Sequence, residues 1–493
     1  MAKGIDHNDG TMGRPNLLLF MTDQQRADSV GAFGNRVART PNIDALARRG
    51  TRFTNAYAQH SACSQSRVSM LTGWYPHVHG HRTLDNLLKP WEPNLLAILR
   101  SAGYYVAWSG IRGDTFAPGG TAASTDFFGF VVKPSLEAVA AAHRQEFPPG
   151  HRLRHAHYLG RLDGDEPLDL DEAAVQTAIQ LLERGLPEPF VLVLTLFAPH
   201  PPFAVPEPWY SLHDRADMPA PGPPGSGKPR FMAALRERSG LAALSADDWA
   251  EITATYYGMV SRVDDQLGRV LGALGRAGVT ERTVVCFHSD HGEYLGDYGL
   301  VEKWPSGLDD CLLRNPLVVA GPGVAETQVN TGLVEMVDLL PTFCELAEAE
   351  VGHAHFGRSL LSALRGADVP HREAAFSEGG FRMDEEPQDE PVAGYPYDLK
   401  TTLLHERPEL VKRSVAARTT EWTYVYRSDE GEELYDRRAD PGELANVAGI
   451  PEHAATVTAL RGRVLDWLVS TSDVVPRARD PRMEPALTEQ TGF

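Results

Sequence analysis

Short apolar runs that end in polar residues constrain the fold of this chain more than any other feature. The run "LLLFM" ends at Thr22 and Asp23, "FVLVLTLF" at residues 190–197 is broken by "APHPPF", and "TVVCFHSD" ends at Asp290. Runs this short and this apolar are typical of strands that are buried on both faces of a sheet. Because helical patterns lie between them, the sequence predicts an α/β fold with a large, mostly parallel sheet sandwiched by helices.

The helices between these strands can be placed from their end signals and periodicity. We expect one helix from about residue 171 to residue 183. Ser245 and Asp248 resemble a capping box, and the apolar residues after them keep helical spacing until Gly278. The segment 206–240 is rich in proline and glycine, so we expect it to wind over the surface.

The pattern changes towards the C-terminus. The stretch 378–400 is acidic and loop-like, whereas "EWTYVYRS" and "EELYD" predict paired strands and the residues from about 453 to 468 predict a helix. We therefore predict a catalytic α/β domain over residues 1–371 and a smaller α+β subdomain over 372–493. The subdomain would end in an extended tail, which leaves a homo-oligomer joined through that tail as an open alternative.

The composition limits the classes of function. The chain has 493 residues, and 66 acidic against 47 basic residues give it a formal charge of −19, which argues against nucleic acid as a main partner. An anionic substrate would need a local positive site. No apolar run approaches the roughly 20 residues that a membrane span requires, and the N-terminus lacks a secretory pattern. With only four scattered cysteines, these features predict a cytoplasmic, disulfide-free enzyme without a membrane partner.

Polar side chains follow two of the predicted strands. Asp23 and Gln24 follow the first strand, and Asp290 and His291 follow a later one. Open parallel sheets place their sites at the carboxyl ends of strands, where these residues would meet. Oxygen ligands with one imidazole suit a divalent ion such as Ca²⁺, Mg²⁺ or Mn²⁺. Each cluster alone is typical of an ordinary loop, but two at strand ends favour a metal site.

The stretch "CSQSRVSMLTG" at residues 63–73 carries the most specific pattern in the chain. It follows the motif Cys-x-Pro-Ser-Arg-x-Ser-x-Leu-Thr-Gly at every fixed position except the proline. Further blocks match in order, among them "TPNIDALARRGTRFTNAYA", "YYGMVSRVDDQLGRVL", "SDHGEYLGDYGLVEK" and "ELYDRRADPGELANV". On these residues the chain is identified as a member of the type I sulfatases, in the alkaline phosphatase superfamily.

The resemblance implies a mechanism that begins with a modified cysteine. A formylglycine-generating enzyme would oxidise Cys63 to formylglycine, an aldehyde that hydrates to a geminal diol. One diol hydroxyl, made more acidic by a bound cation, would attack the sulfur of a small anionic sulfate ester. The second hydroxyl would let the sulfated intermediate collapse to the aldehyde, which releases sulfate.

The resemblance also implies a role for each matching residue. The ligands of one divalent ion, with Ca²⁺ as the first choice and Mn²⁺ or Mg²⁺ as alternatives, would be Asp23, Gln24, Asp290 and His291. Arg67 would hold the diol, Lys303 would bind the sulfate oxygens, and His200 in "APHPPF" would donate a proton to the leaving alcohol. Outside this context, solvated cations and a loop histidine would be the simpler interpretation.

Two departures from the family pattern bear on activity. Gln65 replaces the motif proline, and glutamine neither fixes φ near about −65° nor removes a donor. An unconverted Cys63 could still bind the metal but would lose the diol exit. Where relatives carry Gly-Lys-x-His, this chain has "GIRGD", so Arg112 would serve as an anion clamp and Asp114 as a base or substrate contact. Arg82, after the three histidines of "YPHVHGHR", is a further candidate for substrate contact.

Three functions therefore compete. The leading hypothesis is sulfate ester hydrolysis. A phosphodiesterase or phosphonate monoester hydrolase of the same fold is the second, because sulfate monoesters and phosphate diesters both carry a single negative charge. A non-catalytic relative is the third, and it would follow if Cys63 stays unconverted.

Overall fold

The described part of the chain folds into three sheets with helices packed against them. The structure, a computed structural model, describes residues 13–110, 114–135, 147–148, 150–162, 168–367, 370–382 and 392–474. The strands are β1 Asn16–Asp23, β2 Gly50–Tyr57, β3 Tyr105–Ser109, β4 Phe127–Gly129, β5 Tyr158–Arg161, β6 Phe190–Pro199, β7 Phe203–Val205, β8 Thr283–Ser289, β9 Arg314–Ala320, β10 Gln328–Glu335, β11 Ala375–Gly379, β12 Ser414–Arg418, β13 Trp422–Arg427 and β14 Gly431–Asp436. The helices are α1 Pro41–Arg48, α2 Cys63–Thr72, α3 Pro76–His79, α4 Leu95–Ser101, α5 Gly120–Ser124, α6 Leu170–Arg184, α7 Arg230–Ser239, α8 Ala246–Arg276, α9 Asp310–Leu313, α10 Leu339–Leu346, α11 Leu361–Leu364, α12 Asp398–Glu406 and α13 Ala454–Thr471.

The main sheet confirms the predicted α/β fold. Within the described residues it has eight strands in the order β10-β2-β9-β8-β1-β6-β3-β4. β9 runs antiparallel to both of its neighbours, and the other pairs are parallel. The three apolar runs of the sequence, β1, β6 and β8, lie side by side at its centre. Their side chains are almost entirely buried because helices cover both faces of the sheet.

The long helix α8 forms as its sequence pattern predicts. The Ser245 side chain accepts a hydrogen bond from the Asp248 backbone, and Asp248 accepts one from the Ser245 backbone, which completes the capping box. The helix packs against α6 and β7, and its apolar face lies in the main core. The helix predicted from 171 to 183 is α6, so this prediction is also confirmed.

The segment 206–240 departs from the prediction of a surface loop. It contains helix α7, in which Phe231 and Met232 are fully buried. The Phe231 ring stacks on Trp304 with 5.9 Å between centroids. The prediction was wrong because it rested on the proline and glycine content of the segment. The packing of its last part is decided by two apolar residues, Phe231 and Met232.

The C-terminal region confirms the predicted α+β subdomain. β11 to β14 form a four-stranded antiparallel sheet, and the predicted hairpin is β13 and β14. Ala416 faces the main core, while its neighbour Ala417 lies in a second apolar cluster with Trp467 of α13. Since the sheet shares one face with the main core, the domain boundary at residue 371 stays a prediction.

The predicted C-terminal tail and the acidic stretch 378–400 are described only in part. The tail beyond residue 474 and residues 383–391 of the acidic stretch lie outside the described ranges. The rest of that stretch contributes part of β11 and the beginning of α12. Over the part of the chain that the structure covers, no helix is both long enough and apolar enough to cross a bilayer.

Candidate active site

The carboxyl ends of the three central strands bring the predicted site residues together. In the register of the main sheet, Asp23 of β1 pairs with Pro199 of β6, and Thr22 pairs with Ser289 of β8. Neighbouring strands lie about 4.8 Å apart. Asp290 and His200 directly follow the ends of β8 and β6, the two strands on either side of β1.

Cys63 lies at the first position of helix α2, beside these strand ends. Its thiol is 3.4 Å from Asp23 Oδ1 and 3.2 Å from His291 Nε2. The side chain is buried, and burial together with the negative charge of Asp23 raises the pKa of the thiol well above its ordinary value. The free backbone N–H groups of the first helical turn give this end of α2 a positive potential.

The hydrogen bond of His291 fixes which ring nitrogen can bind a cation. Its Nδ1 lies 2.9 Å from the carbonyl oxygen of Gly292. A carbonyl only accepts, so Nδ1 carries the proton, and the lone pair of Nε2 is directed towards Cys63. Burial lowers the pKa of His291, which keeps the ring neutral and able to act as a ligand.

The ligand atoms of the site converge. One atom from each of Asp23, Cys63, Asp290 and His291 lies within 4.8 Å of all the others, and the four residues are buried. Carboxylate oxygens and an imidazole nitrogen are the donors that hard divalent ions accept. The donor set therefore fits a divalent cation.

Arg67 holds the two carboxylates in this arrangement. Its guanidinium donates to Asp23 Oδ2 at 2.7 Å and to Asp290 Oδ2 at 2.8 Å. The Oδ1 atoms of the same carboxylates lie 3.7 and 3.8 Å from His291 Nε2. One oxygen of each carboxylate is thus neutralised by arginine, and the other is directed towards the converging ligand atoms.

Asp114 belongs to the same hydrogen-bond network. The three residues before it, 111–113, lie outside the described ranges. Asp114 Oδ1 accepts a hydrogen bond from Arg67 Nη1 at 3.0 Å. Arg112, predicted as an anion clamp, lies outside the described residues. The proposed roles of both residues stay predictions.

Gln24 and Lys303 meet at the edge of the cluster. The Gln24 backbone donates to Asp290 Oδ1 at 3.0 Å, its side-chain amide donates to Glu293, and its amide oxygen accepts from Lys303 Nζ. Gln24 therefore lies at the site, and its role as a ligand stays a prediction.

Lys303 is held as a charged group by its neighbours. Its Nζ is 2.9 Å from Glu302, whose second oxygen is 2.6 Å from Lys400. Burial alone would lower the pKa of Lys303, but nearby negative charges, among them Glu302 and Asp23, raise it above its ordinary value. The ammonium group therefore stays protonated beside the predicted sulfate position.

His200 is oriented by its own turn. Its Nδ1 lies 2.6 Å from the carbonyl oxygen of Pro201, so Nδ1 carries a proton and donates it to that oxygen. The Tyr397 hydroxyl donates to the same carbonyl at 3.3 Å, and the two rings are 6.2 Å apart.

Gln65 contacts the loop that carries Arg82. Its side-chain amide donates to the Arg82 carbonyl at 2.9 Å. Gln65 occupies the first turn of α2, where the backbone already has the φ that a proline would impose. The replacement therefore leaves the folded geometry around Cys63 intact, while contact of Arg82 with substrate stays a prediction.

The histidines of "YPHVHGHR" pack rather than gather around one point. His77 bonds Glu378 and Thr471, His79 stacks on Trp74, and His81 contacts the Asn86 carbonyl. His79 Nδ1 and His81 Nε2 both lie near Glu92 Oε1, at 4.0 and 3.2 Å, while His77 lies elsewhere, so the three do not form one site.

Sequence reasoning missed several residues around the site. Glu293 and Glu302 were within reach, because they lie in the same block as Asp290, but they were not singled out. Lys400 carries no local signal, since it is 98 residues from Glu302 in the chain. His60, three residues before Cys63, is fully buried with no hydrogen-bond partner for Nε2 among the described residues, and burial lowers its pKa to about 3.

Comparison with known proteins identifies the family. The family model named Sulfatase matches residues 15–349. The chain belongs to the sulfatase family. It is 29% identical to the multifunctional alkaline phosphatase superfamily protein PehA of Trinickia caryophylli over 94% of this chain and 96% of that protein. It is 27% identical to the choline-sulfatase of Rhizobium meliloti (strain 1021), over 96% and 90% of the two chains.

The fold comparison points to two kinds of hydrolase. The phosphonate monoester hydrolase of Agrobacterium radiobacter superposes with a TM-score of 0.75 at 25% identity, covering 96% of this chain and 98% of that one. Together with the family match, the sulfatase relatives make this sulfatase-family protein a sulfuric ester hydrolase.

Proposed function

We propose that the protein hydrolyses a sulfate ester with a formylglycine formed from Cys63 and one divalent metal ion. The observation that carries the proposal is the convergence of Cys63 with Asp23, Asp290 and His291 at adjacent strand ends. In a sulfatase-family chain, this places the motif cysteine against a donor set that fits a divalent cation.

The ion would be held by Asp23, Asp290 and His291, with Gln24 as the fourth ligand. When bound, it would supply the positive charge that makes a hydroxyl at position 63 acidic enough to react near neutral pH. Ca²⁺ is the first choice because carboxylate and amide oxygens dominate the donors, and Mn²⁺ and Mg²⁺ are the alternatives.

The remaining side chains would bind and orient the ester. Arg67 keeps Asp23 and Asp290 in place and offsets their charge. Lys303 would bind the sulfate oxygens through its protonated amine. His200, as an imidazolium whose Nδ1–H is held by a carbonyl, would donate its Nε2 proton to the leaving alcohol and become neutral. Arg82, Arg112 and Asp114 would contact the substrate.

Formylglycine at position 63 would supply the nucleophilic hydroxyl of its hydrate. The partner required for this is a formylglycine-generating enzyme, which would have to accept the sequence Cys-x-Gln-x-Arg. All four cysteines are free in the structure, which supports a reducing compartment and therefore a cytoplasmic location.

Phosphonate monoester or phosphodiester hydrolysis is the second candidate. It is favoured by the similarity to PehA and to the Agrobacterium radiobacter phosphonate monoester hydrolase. Both substrate types present a singly charged ester to the same cations. The site geometry alone therefore supports either reaction.

A panel of esters tests the proposal. Purified protein is given 4-nitrophenyl sulfate, bis(4-nitrophenyl) phosphate and a phenyl phosphonate monoester, before and after removal of metal by a chelator. We expect sulfate release with the highest kcat/KM, loss on chelation, and recovery on adding Ca²⁺ or Mn²⁺. Higher kcat/KM on the phosphorus esters would replace the proposed function with the second candidate.

A further inference from the structure

Glu302 lies between two lysines, and only one of them belongs to the predicted site. Its Oε1 is 2.9 Å from Nζ of Lys303, while its Oε2 is 2.6 Å from Nζ of Lys400. The two lysines come from different parts of the fold, since Lys303 follows Glu302 in the chain and Lys400 lies on α12. One carboxylate therefore serves two ammonium groups.

The hydrogen bonds of Glu302 are not divided equally between the lysines. Its Oε2 accepts from Lys400 Nζ and from the backbone N–H of Lys303, each at 2.6 Å. Across the described ranges, no donor makes a hydrogen bond to its Oε1. The contact between Oε1 and the Lys303 ammonium is thus an ionic one, whereas Lys400 fixes the direction of the carboxylate.

The backbone of Glu302 is held in an uncommon conformation. Its φ is 66°, in the left-handed region that favours glycine, and its N–H donates to the Glu293 carboxylate. Strained backbone of this kind persists only where the surrounding structure over-determines it, and it is concentrated at functional sites. The position of Glu302 beside Lys303 is therefore fixed by the backbone as well as by Lys400.

The space beside Lys400 is too small for an ester. A cavity of about 30 Å³ is lined by Lys400, Lys303 and His157, among others. A water molecule needs at least about 10–15 Å³ of such space, so this cavity has room for one or two waters. On this side, Lys400 can therefore act on a bound ester only through Glu302.

Glu302 and its two lysines together carry one net positive charge. Burial alone would raise the pKa of Glu302, but Lys303 and Lys400 lower it, so the carboxylate is ionised. Burial lowers the pKa of Lys400, while Glu302 favours its ammonium form. His157 adds no charge, because burial lowers its pKa to about 4. Without Lys400, Glu302 would cancel the charge of Lys303.

We infer that Lys400 is a positioning residue, which prevents Glu302 from neutralising Lys303 and so keeps a positive charge at the predicted sulfate position. The inference rests on the proposed role of Lys303 in binding the ester oxygens. It adds a residue of the C-terminal region to that role, and the ligand that the retained charge favours is an oxyanion.

Inorganic sulfate, the product of the proposed reaction, probes this charge without turnover. Its affinity for the full chain is measured by calorimetry. Lys400→Met should bind sulfate about tenfold more weakly than the wild type, because Glu302 then pairs with Lys303 alone. Lys412→Met is the matched control and should bind sulfate like the wild type. Lys412 also pairs with a carboxylate, that of Asp429, and its side chain is 18% exposed, against 16% for Lys400.

A second substitution separates an effect of charge from a structural one. In the double variant Lys400→Met/Glu302→Gln, the carboxylate that would cancel Lys303 is absent. Sulfate affinity should therefore return to within about threefold of the wild type. A merely structural role of Lys400 predicts the reverse, since a second buried change would add to the first. If Lys400→Met does not fold, Lys400→Gln replaces it in the same comparison.

Turnover separates this inference from the proposed function. The kcat/KM for 4-nitrophenyl sulfate should fall about tenfold in Lys400→Met, through a higher KM. Equal sulfate binding by the wild type and Lys400→Met, or no recovery in the double variant, would overturn the inference and leave the proposed function standing. The predicted pattern of sulfate binding, with no ester hydrolysed, would support the inference and contradict the proposed function. A wild type that binds no sulfate would also overturn the inference, and the ester panel would then decide the proposed function by itself.

Discussion

Two clusters of buried charge in this protein use the same residue types and differ in how their charged atoms are arranged. The catalytic cluster consists of Asp23, Asp290, Arg67, Lys303 and Glu302. The interface cluster consists of Lys228, Asp309, Asp310, Arg314 and Glu443, and it lies between the main core and the C-terminal region.

The interface cluster is built from paired charges. Lys228 Nζ is 2.7 Å from Asp309 Oδ1 and lies 4.2 and 4.4 Å from the ring centres of Tyr298 and Tyr435. The other oxygen of Asp309 accepts from the Tyr294 hydroxyl at 2.8 Å. Asp310 is paired with Arg314 at 2.7 Å, and these ion pairs stabilise the packing of the C-terminal region.

The catalytic cluster instead directs several ligand atoms towards one place. Arg67 binds Oδ2 of both Asp23 and Asp290, while Oδ1 of each converges with His291 Nε2 on the Cys63 side chain. The comparison teaches that burial of charge alone does not mark a functional site. The mark is a set of atoms of the types that bind metal ions, converging on one place beside the motif cysteine.

The largest expected effect is a loss of activity when Cys63, beside the catalytic cluster, is replaced. Cys63→Ala should lower kcat for an aryl sulfate by at least about 1000-fold, because it removes the nucleophile. Thermal unfolding should change little, since the side chain is small. Cys344→Ala, in the buried face of α10, is the matched control and should keep near wild-type kcat. Substantial turnover by Cys63→Ala would show that the catalytic cluster works without this residue.

The next effect should appear in stability and not in catalysis. Lys228→Met leaves Asp309 buried without its cation, which should lower the free energy of unfolding by about 3–5 kcal/mol. The folded fraction should retain kcat within about twofold. Denaturant unfolding and assays on the folded protein measure the two quantities. A large fall in kcat with unchanged stability would break the distinction between the clusters.

Arg67→Lys is expected to weaken catalysis and metal binding, whereas Lys228→Met should weaken stability. Lysine keeps the charge but cannot bind Asp23, Asp290 and Asp114 together, so kcat/KM should fall by about 100-fold. Metal affinity, measured by calorimetry, should fall as well because the two carboxylates lose their common partner. Arg418→Lys, buried beside Tyr57, is the control and should alter stability more than kcat/KM. Unchanged metal affinity in Arg67→Lys would contradict its role in holding the carboxylates.

A smaller effect comes from a buried group outside both clusters. Burial and the charge of Arg39 lower the pKa of His213 to about 4, whereas an unfolded histidine titrates near about 6.5. Between these values the unfolded chain binds the proton and the native one does not, so stability falls as pH decreases from about 6.5 to 4.

The His213→Gln variant measures this contribution. Between pH 8 and pH 5 its free energy of unfolding should decrease by about 2 kcal/mol less than that of the wild type. Leu465→Gln, at an exposed position on α13 without a titratable group, should follow the wild-type profile. Parallel pH profiles for wild type and His213→Gln would show that this histidine does not link stability to pH.

The sequence predicted the elements whose side chains are buried on every side. β1, β6 and β8 are continuous apolar runs because both of their faces are covered, and α8 has a complete capping box and a long apolar face. For the same reason, Asp23 and Asp290 could be placed at strand ends before their contacts were known.

Other features depend on contacts that leave no local pattern. Helix α7 is buried through Phe231 because Trp304 lies across from it, and the composition of its segment does not show this partner. Lys400 and Tyr397 reach the site from a stretch that reads as an acidic loop. Their positions are set by how the C-terminal region packs on the main core, which no short-range periodicity encodes.

The central claim is that residue 63 becomes an aldehyde at a metal site. Its most direct test is the mass of the tryptic peptide 53–67 from protein made in the native host. We predict a peptide about 18 Da lighter than the cysteine form, a loss that the usual mass-adding oxidations of cysteine do not produce. An unmodified thiol in all of the recovered peptide would contradict the account.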